Sequence, residues 1–211
     1  MTSLTMRPEE IEEESFRIID SEAGEHGWSD AEWPVVRRAV HTSADFDYVR
    51  SMIISGSALD SGIAALREGC GIVTDTTMAL SGISRVRLAP FGCTVSCHVA
   101  DPDVAASAQH AGITRSIAAM RKGVDNPANR IFVIGNAPTA LFELLRLITE
   151  QKVTPALIVG LPVGFVGAEE SKNALADGGH RIPFITSIGR KGGSNVAAAV
   201  INALAILAAG Q

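Results

Sequence analysis

Short apolar runs alternate with longer amphipathic segments along most of the chain. The apolar runs carry β-branched residues, which favour buried strands; they are GIVTD (71–75), CTVSCHV (93–99), IFVIG (131–135), ALIVG (156–160) and PFITSI (183–188). Segments such as 140–151 and 195–207 repeat their apolar residues at helical spacing. Five strands joined by helical crossovers predict an α/β protein with a mostly parallel five-stranded sheet covered on both faces.

Two further helices are predicted before the first strand. One covers PEEIEEESFRIIDSEA (8–23), and the other covers SDAEWPVVRRAVH (29–41), which Ser29 or Asp30 can cap. His41 then lies in the last turn and is followed by two hydroxyl residues and two aspartates. A histidine at a helix C-terminus is favoured by the helix dipole. The residues alone therefore leave open whether His41 has a chemical role.

The segments that follow the predicted strands are rich in glycine, hydroxyl residues and asparagine. They are TTMALSG (76–82), NAPTALF (136–142), LPVGFVGAEESK (161–172) and GRKGGSN (189–195). In a parallel sheet ligands bind at the carboxyl ends of strands, where exposed backbone N–H groups receive anions. Glycine is also needed for turns alone, and Asn136 with Pro138 also fits a helix N-cap with an early proline. The pattern predicts a site for a large, anionic and partly apolar ligand.

Nucleotide binding is weakly supported. GRKGGS lacks the spacing of a phosphate-binding loop, and no G-x-G-x-x-G follows the first strand. The net charge of -5 argues against nonspecific nucleic-acid binding. The N-terminus shows no signal-like pattern, and no apolar run reaches the roughly 20 residues that span a bilayer. We expect a cytoplasmic protein without a nucleic-acid or membrane partner.

Length and cysteine usage limit the architecture further. The 211 residues with 46% hydrophobic composition suit one domain over 1–211, with 1–7 as a flexible N-terminus. Three cysteines are too few, and odd in number, for a disulfide framework. Cys93 and Cys97 lie about 13 Å apart if they share a strand, which is too far for one metal ion. We therefore expect reduced thiols and no metal site.

Several long runs resemble one family. VIGNAPTALFELL (133–145), GLPVGFVGAEESK (160–172) and GRKGGSNVAAAVINAL (189–204), with DTTMALSGI (75–83) and GITRSIAA (112–119), resemble the precorrin-8 methylmutase family of cobalamin biosynthesis. The similarity runs from about Ser15 to Leu207. It implies a homodimeric three-layer α/β/α fold and an isomerase that moves a methyl group from carbon 11 to carbon 12 of a corrinoid. It also implies no cofactor, with cobalt arriving only inside the substrate, and a possible hand-over of product to the next pathway enzyme.

The resemblance also implies roles for individual residues. His41 falls on the position of the family's proposed catalytic histidine, and an imidazole can donate or share a proton near neutral pH. Arg115 and Ser15 match substrate-binding positions, while Asn136, Arg190, Lys191 and Gly192 are candidates from position and motif. Arg85 and Arg87 either add to a field that attracts anions or are strand-edge charges. The predicted substrate-binding residues are Ser15, Thr42, Asp75, Thr77, Arg115, Asn136, Arg190 and Gly192.

The metal status of the substrate is predicted from two segments. The metal-free branch of the family carries a lysine in the loop where this chain has Thr77, and lacks the aspartates found here in HTSADFDY (41–48). The sequence is thus similar to the cobalt-handling branch, which converts cobalt-precorrin-8 to cobyrinate. The alternatives are a metal-free precorrin-8X methylmutase giving hydrogenobyrinate, a corrinoid carrier without turnover, and a Rossmann-like nucleotide-binding oxidoreductase.

Overall fold

The computed structural model describes residues 7–179 and 181–210, so the predicted flexible segment 1–7 lies outside the described residues except for Arg7. Within them the chain forms a six-stranded sheet in the order β1-β6-β5-β4-β2-β3, and only the β1–β6 pair is antiparallel. The strands are β1 (Met52–Ile54), β2 (Gly71–Thr74), β3 (Thr94–Cys97), β4 (Asn129–Ile134), β5 (Leu157–Gly160) and β6 (Phe184–Ser187).

The five predicted strands are confirmed as β2 to β6, and the predicted number was low by one. Strand β1 has three residues, which is too short for an alternation of apolar and polar positions to be recognised. It exists because Met52 and Ile54 pair with Ser187 and Ile185 of β6. This strand at the edge of the sheet is therefore a product of tertiary pairing.

Helices occupy most of the remaining described chain. They are α1 (Pro8–Ala23), α2 (Trp33–Ser43), α3 (Tyr48–Ser51), α4 (Ala58–Arg67), α5 (Thr77–Gly82), α6 (Arg85–Leu88), a 3-10 helix (Ala89–Phe91), α7 (Pro102–Ala111), α8 (Arg115–Val124), α9 (Pro138–Thr149), α10 (Ala168–Asp177) and α11 (Ser194–Ala208).

Alternating side chains of the central strands fill two separate cores. Ile131 and Val133 of β4 pack into the core that also contains residues of α2, α4 and α11. Phe132 and Ile134 point to the opposite face, where they pack with residues of α8, α9 and α10. This alternation is the normal geometry of a strand buried on both sides. The predicted three-layer α/β/α architecture with a mostly parallel sheet is confirmed.

One predicted helix start, and one alternative reading of another, need correction. Helix α2 begins at Trp33 with Glu32 at its N-cap, two to three residues later than a cap at Ser29 or Asp30 requires. Ser29 instead forms a turn before the helix, in which its N–H and Oγ donate to Glu32 at 3.1 and 2.7 Å. Helix α9 has Ala137 rather than Asn136 at its N-cap, although Pro138 is its first residue as expected.

The parallel strands β2 to β6 all end at one side of the sheet, which we call the carboxyl edge. It consists of the segments that follow these strands, at 75–77, 98–101, 135–137, 161–167 and 188–193. The end of α2 reaches the same edge, because Asn195 at the start of α11 donates through Nδ2 to the carbonyl of Thr42 at 3.4 Å. His41 therefore lies at the edge of the sheet where ligands bind in open α/β folds.

Candidate active site

His41 lies in the last turn of α2, as predicted. It is exposed and has no hydrogen-bond partner among the described residues. Its ring meets the Phe16 ring at an angle of 63°, with the centroids 5.2 Å apart. Both imidazole nitrogens are thus available, while the ring is held from the side by an aromatic contact.

A cleft of about 260 Å³ opens beside this histidine. Its lining consists of Ser15, Ile18, Ile19, Glu22, Val40, His41, Ala44 and Phe46. The structure therefore brings together Ser15 and His41, which are 26 positions apart in the sequence. The Ser15 hydroxyl donates to the carbonyl of Ile11 at 2.7 Å, which leaves its oxygen lone pairs free to accept a hydrogen bond.

Two arginine side chains lie against the Phe16 ring. The guanidinium carbons of Arg37 and Arg38 lie 4.2 and 4.8 Å from its centroid, within the range of cation–π contacts. Arg38 also pairs with Glu12, and this hydrogen bond holds the pKa of the Glu12 carboxyl below its usual range. A carboxylate that stays ionised, and that is paired with Arg38, therefore lies near His41.

The segment after His41 is tied to the glycine-rich loop that follows β6. The Lys191 ammonium forms ion pairs with both Asp45 and Asp47. The Lys191 hydrogen bond lowers the pKa of Asp45, and the two carboxylates raise the pKa of Lys191. In addition, the Tyr48 hydroxyl donates to the carbonyl of Gly192 at 3.4 Å, and burial raises the pKa of Tyr48 to about 12. Sequence reasoning missed these contacts, because their partners lie about 145 positions apart.

Asp75 is buried immediately after β2, with 1% of its surface exposed. Its two carboxylate oxygens accept hydrogen bonds from the backbone N–H groups of Gly135, Asn136 and Ala137 at 2.8, 2.9 and 2.7 Å. Burial raises the pKa of the Asp75 carboxyl, and the three N–H donors oppose this effect. Asp75 therefore holds the loop that presents Asn136, whereas its direct contact with substrate stays a prediction.

Thr77 and Asn136 are exposed at the carboxyl edge. Thr77 is the first residue of α5, which Thr76 caps by accepting a hydrogen bond from the Ala79 N–H at 3.0 Å. The Thr76 hydroxyl also contacts the Ser194 hydroxyl at 2.8 Å, which joins this loop to the start of α11. The predicted residues after β2 and β4 thus face the same side of the sheet as the end of α2.

Arg115 begins α8, as the sequence predicted, and is exposed. Thr114 caps this helix by accepting from the N–H of Ile117 at 3.3 Å, and its hydroxyl lies 3.1 Å from that of Thr139 on α9. This contact places Arg115 at the carboxyl edge, close to the start of α9. The Arg115 guanidinium has no ion-pair partner in the described part of the chain.

The loop after β6 carries the last two predicted binding residues. The exposed guanidinium of Arg190 lies 5.6 Å from the centroid of the Phe165 ring. A Cβ atom at Gly192 would lie 2.3 Å from the carbonyl oxygen of Leu161, so only glycine fits there. Arg85 and Arg87 lie on the short helix α6 and not on a strand edge, and Arg87 contributes to the lowered pKa of Glu12.

The three cysteines are free thiols, as expected. Cys70 is buried, which raises the pKa of its thiol to about 12, whereas Cys93 and Cys97 are half-buried. No group of three or more His, Cys, Asp or Glu residues in 7–179 and 181–210 is arranged to hold a metal ion. The helices of these ranges also include none that is long and apolar enough to cross a membrane.

A larger cleft, of about 750 Å³, lies away from the carboxyl edge, between the C-terminal parts of α8 and α9. Arg121, Arg146 and Lys152 contribute to its lining. Both arginines pair with the buried carboxylate of Glu143, at 2.7 and 2.6 Å, and Lys152 pairs with Glu150 at 2.8 Å. The positive charges of this cleft are therefore paired with carboxylates of the protein, and none of the predicted site residues lines the cleft.

Comparison with known proteins matches residues 10–207 to the family model described as precorrin-8X methylmutase. The cobalt-precorrin-8 methylmutase of Priestia megaterium is 46% identical, covering 97% of this chain and 90% of that protein. The protein of the same name from Salmonella typhimurium is 47% identical over 94% of each chain. The precorrin-8X methylmutase of a Sinorhizobium species is 42% identical over 92% of each chain.

A solved structure has the same fold. The precorrin-8x methyl mutase from Thermus thermophilus superimposes with a TM-score of 0.86 and is 42% identical, covering 95% of this chain and 98% of that one. These matches confirm the predicted activity class, an isomerase that transfers a methyl group within its substrate in cobalamin biosynthesis. The chain belongs to the precorrin-8X methylmutase family.

Proposed function

We propose that this methylmutase acts on cobalt-precorrin-8 and moves the methyl group of carbon 11 to carbon 12 to give cobyrinate, with His41 as the catalytic residue. The observation that carries the assignment is the state of His41. It is exposed, has no hydrogen-bond partner in the described chain, and shares a cleft with Ser15 at the carboxyl edge. A group that must exchange a proton with substrate needs this freedom.

The reaction is an isomerisation, so no atoms are gained or lost and no external oxidant or reductant is required. The more extended conjugation of the product supplies the driving force. The protein has to hold the ring and polarise it where electron density changes. His41 shares a proton with the ring periphery during the shift and recovers it afterwards, while Phe16 holds the imidazole in place.

The carboxyl edge offers groups that suit a carboxylate-bearing macrocycle. Arg115 and Arg190 supply exposed guanidinium groups, which bind carboxylates through two parallel hydrogen bonds. The Phe165 ring lies beside Arg190, and the side chains of Phe165 and Val166 are 85% and 89% exposed. The combination fits a ligand with an apolar face and an anionic rim, which supports a corrinoid substrate.

A homodimer, which the resemblance to the precorrin-8 methylmutase family implies, is part of the proposal. Ligand pockets usually hold about 300 to 1,000 Å³, whereas the cleft beside His41 has about 260 Å³. We propose that a second copy, related by a two-fold axis, covers the rest of the macrocycle. Light scattering at micromolar concentration should give the dimer mass, and a clean monomer mass would contradict this part of the proposal.

Thr77 supports the cobalt-containing substrate. In that substrate the four ring nitrogens are occupied by the metal, so His41 has to act at the periphery. A neutral threonine at the carboxyl edge provides hydrogen bonding without a further cation beside the charged complex. The proposal includes no added cofactor, a cytoplasmic location and transfer of cobyrinate to the next pathway enzyme.

The proposal is tested by measuring turnover of cobalt-precorrin-8 and metal-free precorrin-8 with one preparation, following the absorbance change to product. We expect both substrates to bind, because they share their peripheral carboxylates, and the cobalt form to react faster. A clear preference for the metal-free form would assign the protein to the other branch. Tight binding without turnover of either substrate would support a corrinoid carrier instead.

A further inference from the structure

Lys172 of α10 is buried beneath the loop that follows β6, with 1% of its surface exposed. Its ammonium donates to the Ser187 hydroxyl at 3.3 Å and to the carbonyl of Lys191 at 2.5 Å. Both acceptors are neutral, and no carboxylate of the described chain pairs with it. Lysine is almost never fully buried unless it is paired with an acidic group.

The charges around Lys172 only partly compensate for its burial. Burial lowers the pKa of the Lys172 ammonium to about 8, and Glu169, one turn earlier on α10, opposes this effect. On the loop, the Lys191 side chain is held by Asp45 and Asp47, and Arg190 lies over Phe165. The fold thus retains a desolvated cation at a cost in stability.

The position of this cation fixes the orientation of one peptide unit. In a trans peptide the C=O and N–H groups point in opposite directions. The carbonyl of Lys191 points to Lys172 and also accepts from the Ser187 hydroxyl at 3.1 Å. The N–H of Gly192 therefore points away from the buried ammonium.

The neighbouring backbone groups are already engaged. The carbonyl of Gly192 accepts from Tyr48, and the N–H of Gly193 donates to the carbonyl of Leu161 at 2.9 Å. The N–H of Gly192 has no acceptor in the described part of the chain. It is a fixed and unused donor at the carboxyl edge.

We infer that Lys172 is a positioning residue, which holds the Lys191–Gly192 peptide so that the Gly192 N–H donates to a carboxylate of the corrinoid. The inference rests on the proposed function and deepens it. Lys172 itself does not contact the substrate. Its ammonium acts through the loop, in the way that second-layer groups orient the residues that contact a ligand.

A purely structural role makes a different prediction for Lys172→Met. If Lys172 only braced the fold, its loss would lower stability and leave the corrinoid affinity of the folded protein unchanged. A positioning role predicts the reverse. The Lys191 carbonyl keeps its bond from Ser187, and removal of a desolvated cation leaves stability unchanged or higher. The less restrained peptide then weakens binding.

The experiment measures the dissociation constant of cobyrinate, kcat and Tm for wild type, Lys172→Met and Lys172→Gln, with the exposed Lys152→Met as control. Lys172→Met should weaken binding about tenfold or more and change kcat at saturating substrate much less. Tm should not fall. Lys172→Gln retains a neutral donor and should recover part of the affinity, while Lys152→Met should match wild type.

Corrinoid affinity measured over a range of pH also distinguishes a positioning role of Lys172 from a purely structural one. Wild-type affinity should weaken as pH rises through about 8, where the Lys172 ammonium loses its charge, and Lys172→Met should show no such change. Equal affinities of Lys172→Met and wild type would overturn the inference. If Lys172→Met fails to fold, constant wild-type affinity from about pH 7 to 9 would overturn it. Wild type that neither binds nor converts a corrinoid would instead overturn the proposed function, and this inference with it.

Discussion

The cleft beside His41 and the cleft between α8 and α9 use their charged groups in opposite ways. The α8–α9 cleft is larger, but Arg121 and Arg146 are both paired with Glu143. At the carboxyl edge, His41 and Arg115 have no such partners in the described chain. Paired arginines stabilise helices against each other, whereas unpaired donors are available to a ligand. The difference supports the proposal that the functional site lies at the carboxyl edge and not in the larger cleft.

Behind those free groups, hydrogen bonds and ion pairs nevertheless connect the loops of the carboxyl edge to neighbouring segments. Asp75 holds the loop at 135–137, and Lys191 ties the loop after β6 to the segment after His41. Such second-layer contacts fix the geometry of groups that must stay unpaired. The loops of the site are thus held by hydrogen bonds and ion pairs, while the groups at its surface stay unpaired.

The largest expected effect is that of His41→Ala. If His41 acts in the transition state, the turnover rate of the variant should fall about 10²- to 10⁴-fold. Its affinity for cobyrinate should stay similar to that of wild type. His110 is also exposed in the last turn of a helix, α7, and His110→Ala is therefore the matched control. Turnover of His41→Ala close to that of wild type would end the assignment.

Arg115→Ala and Arg121→Ala compare the two clefts directly. Loss of a guanidinium that binds a substrate carboxylate should weaken cobyrinate binding by about 1.5 to 3 kcal/mol for Arg115→Ala. Arg121→Ala should leave the affinity unchanged and lower the free energy of unfolding by up to about 1 kcal/mol, because Glu143 keeps Arg146 as a partner. Titration with product and urea unfolding measure the two quantities. The reverse pattern would move the site to the α8–α9 cleft.

The buried cation predicts that stability depends on pH. The folded-state pKa of Lys172, about 8, lies below the ordinary lysine value of 10.5, so the unfolded chain binds more protons between these values. The free energy of unfolding should therefore rise with pH across this window, by about 1 to 2 kcal/mol from pH 8 to 10 relative to Lys172→Met. Urea unfolding of both proteins at each pH gives this difference. If the free energies of unfolding of wild type and Lys172→Met changed with pH in the same way, burial of Lys172 would not destabilise the protein.

The smallest effect is expected for Phe16→Leu, which keeps apolar volume but removes the ring beside His41. A less well-placed imidazole should lower kcat by several-fold to about tenfold and leave product affinity unchanged. Phe16→Tyr should restore kcat. Phe91→Leu, a partly buried residue away from the carboxyl edge, controls for the loss of an aromatic ring. Equal kcat values for Phe16→Leu and wild type would show that Phe16 does not position the His41 imidazole.

Local patterns predicted the parts of the molecule that depend on local sequence. The β-branched runs gave β2 to β6, and the end of the apolar pattern placed His41 in a last helical turn. Contacts between distant segments left no such signal. The ion pairs of Lys191 with Asp45 and Asp47 join segments about 145 positions apart, so the aspartates could be recognised only as a family feature.

Lys172 and Phe16 show a second limit of the sequence. In GAEESK the lysine has the composition of a solvated helix face, yet the fold buries it at the end of β6. Phe16 has the spacing of a core residue on an amphipathic helix and packs against the core, but its ring also contacts His41, Arg37 and Arg38. Burial and ring geometry come from packing, which residue type and spacing do not specify.

The corrinoid is proposed to bind at the carboxyl edge and not in the larger cleft. Hydrogen exchange of backbone amides, measured with and without cobyrinate, distinguishes these two locations. Binding at the carboxyl edge should add protection in 41–47, 113–117 and 188–194 and leave 121–125 and 146–152 unchanged. Protection confined to 121–125 and 146–152 would contradict it.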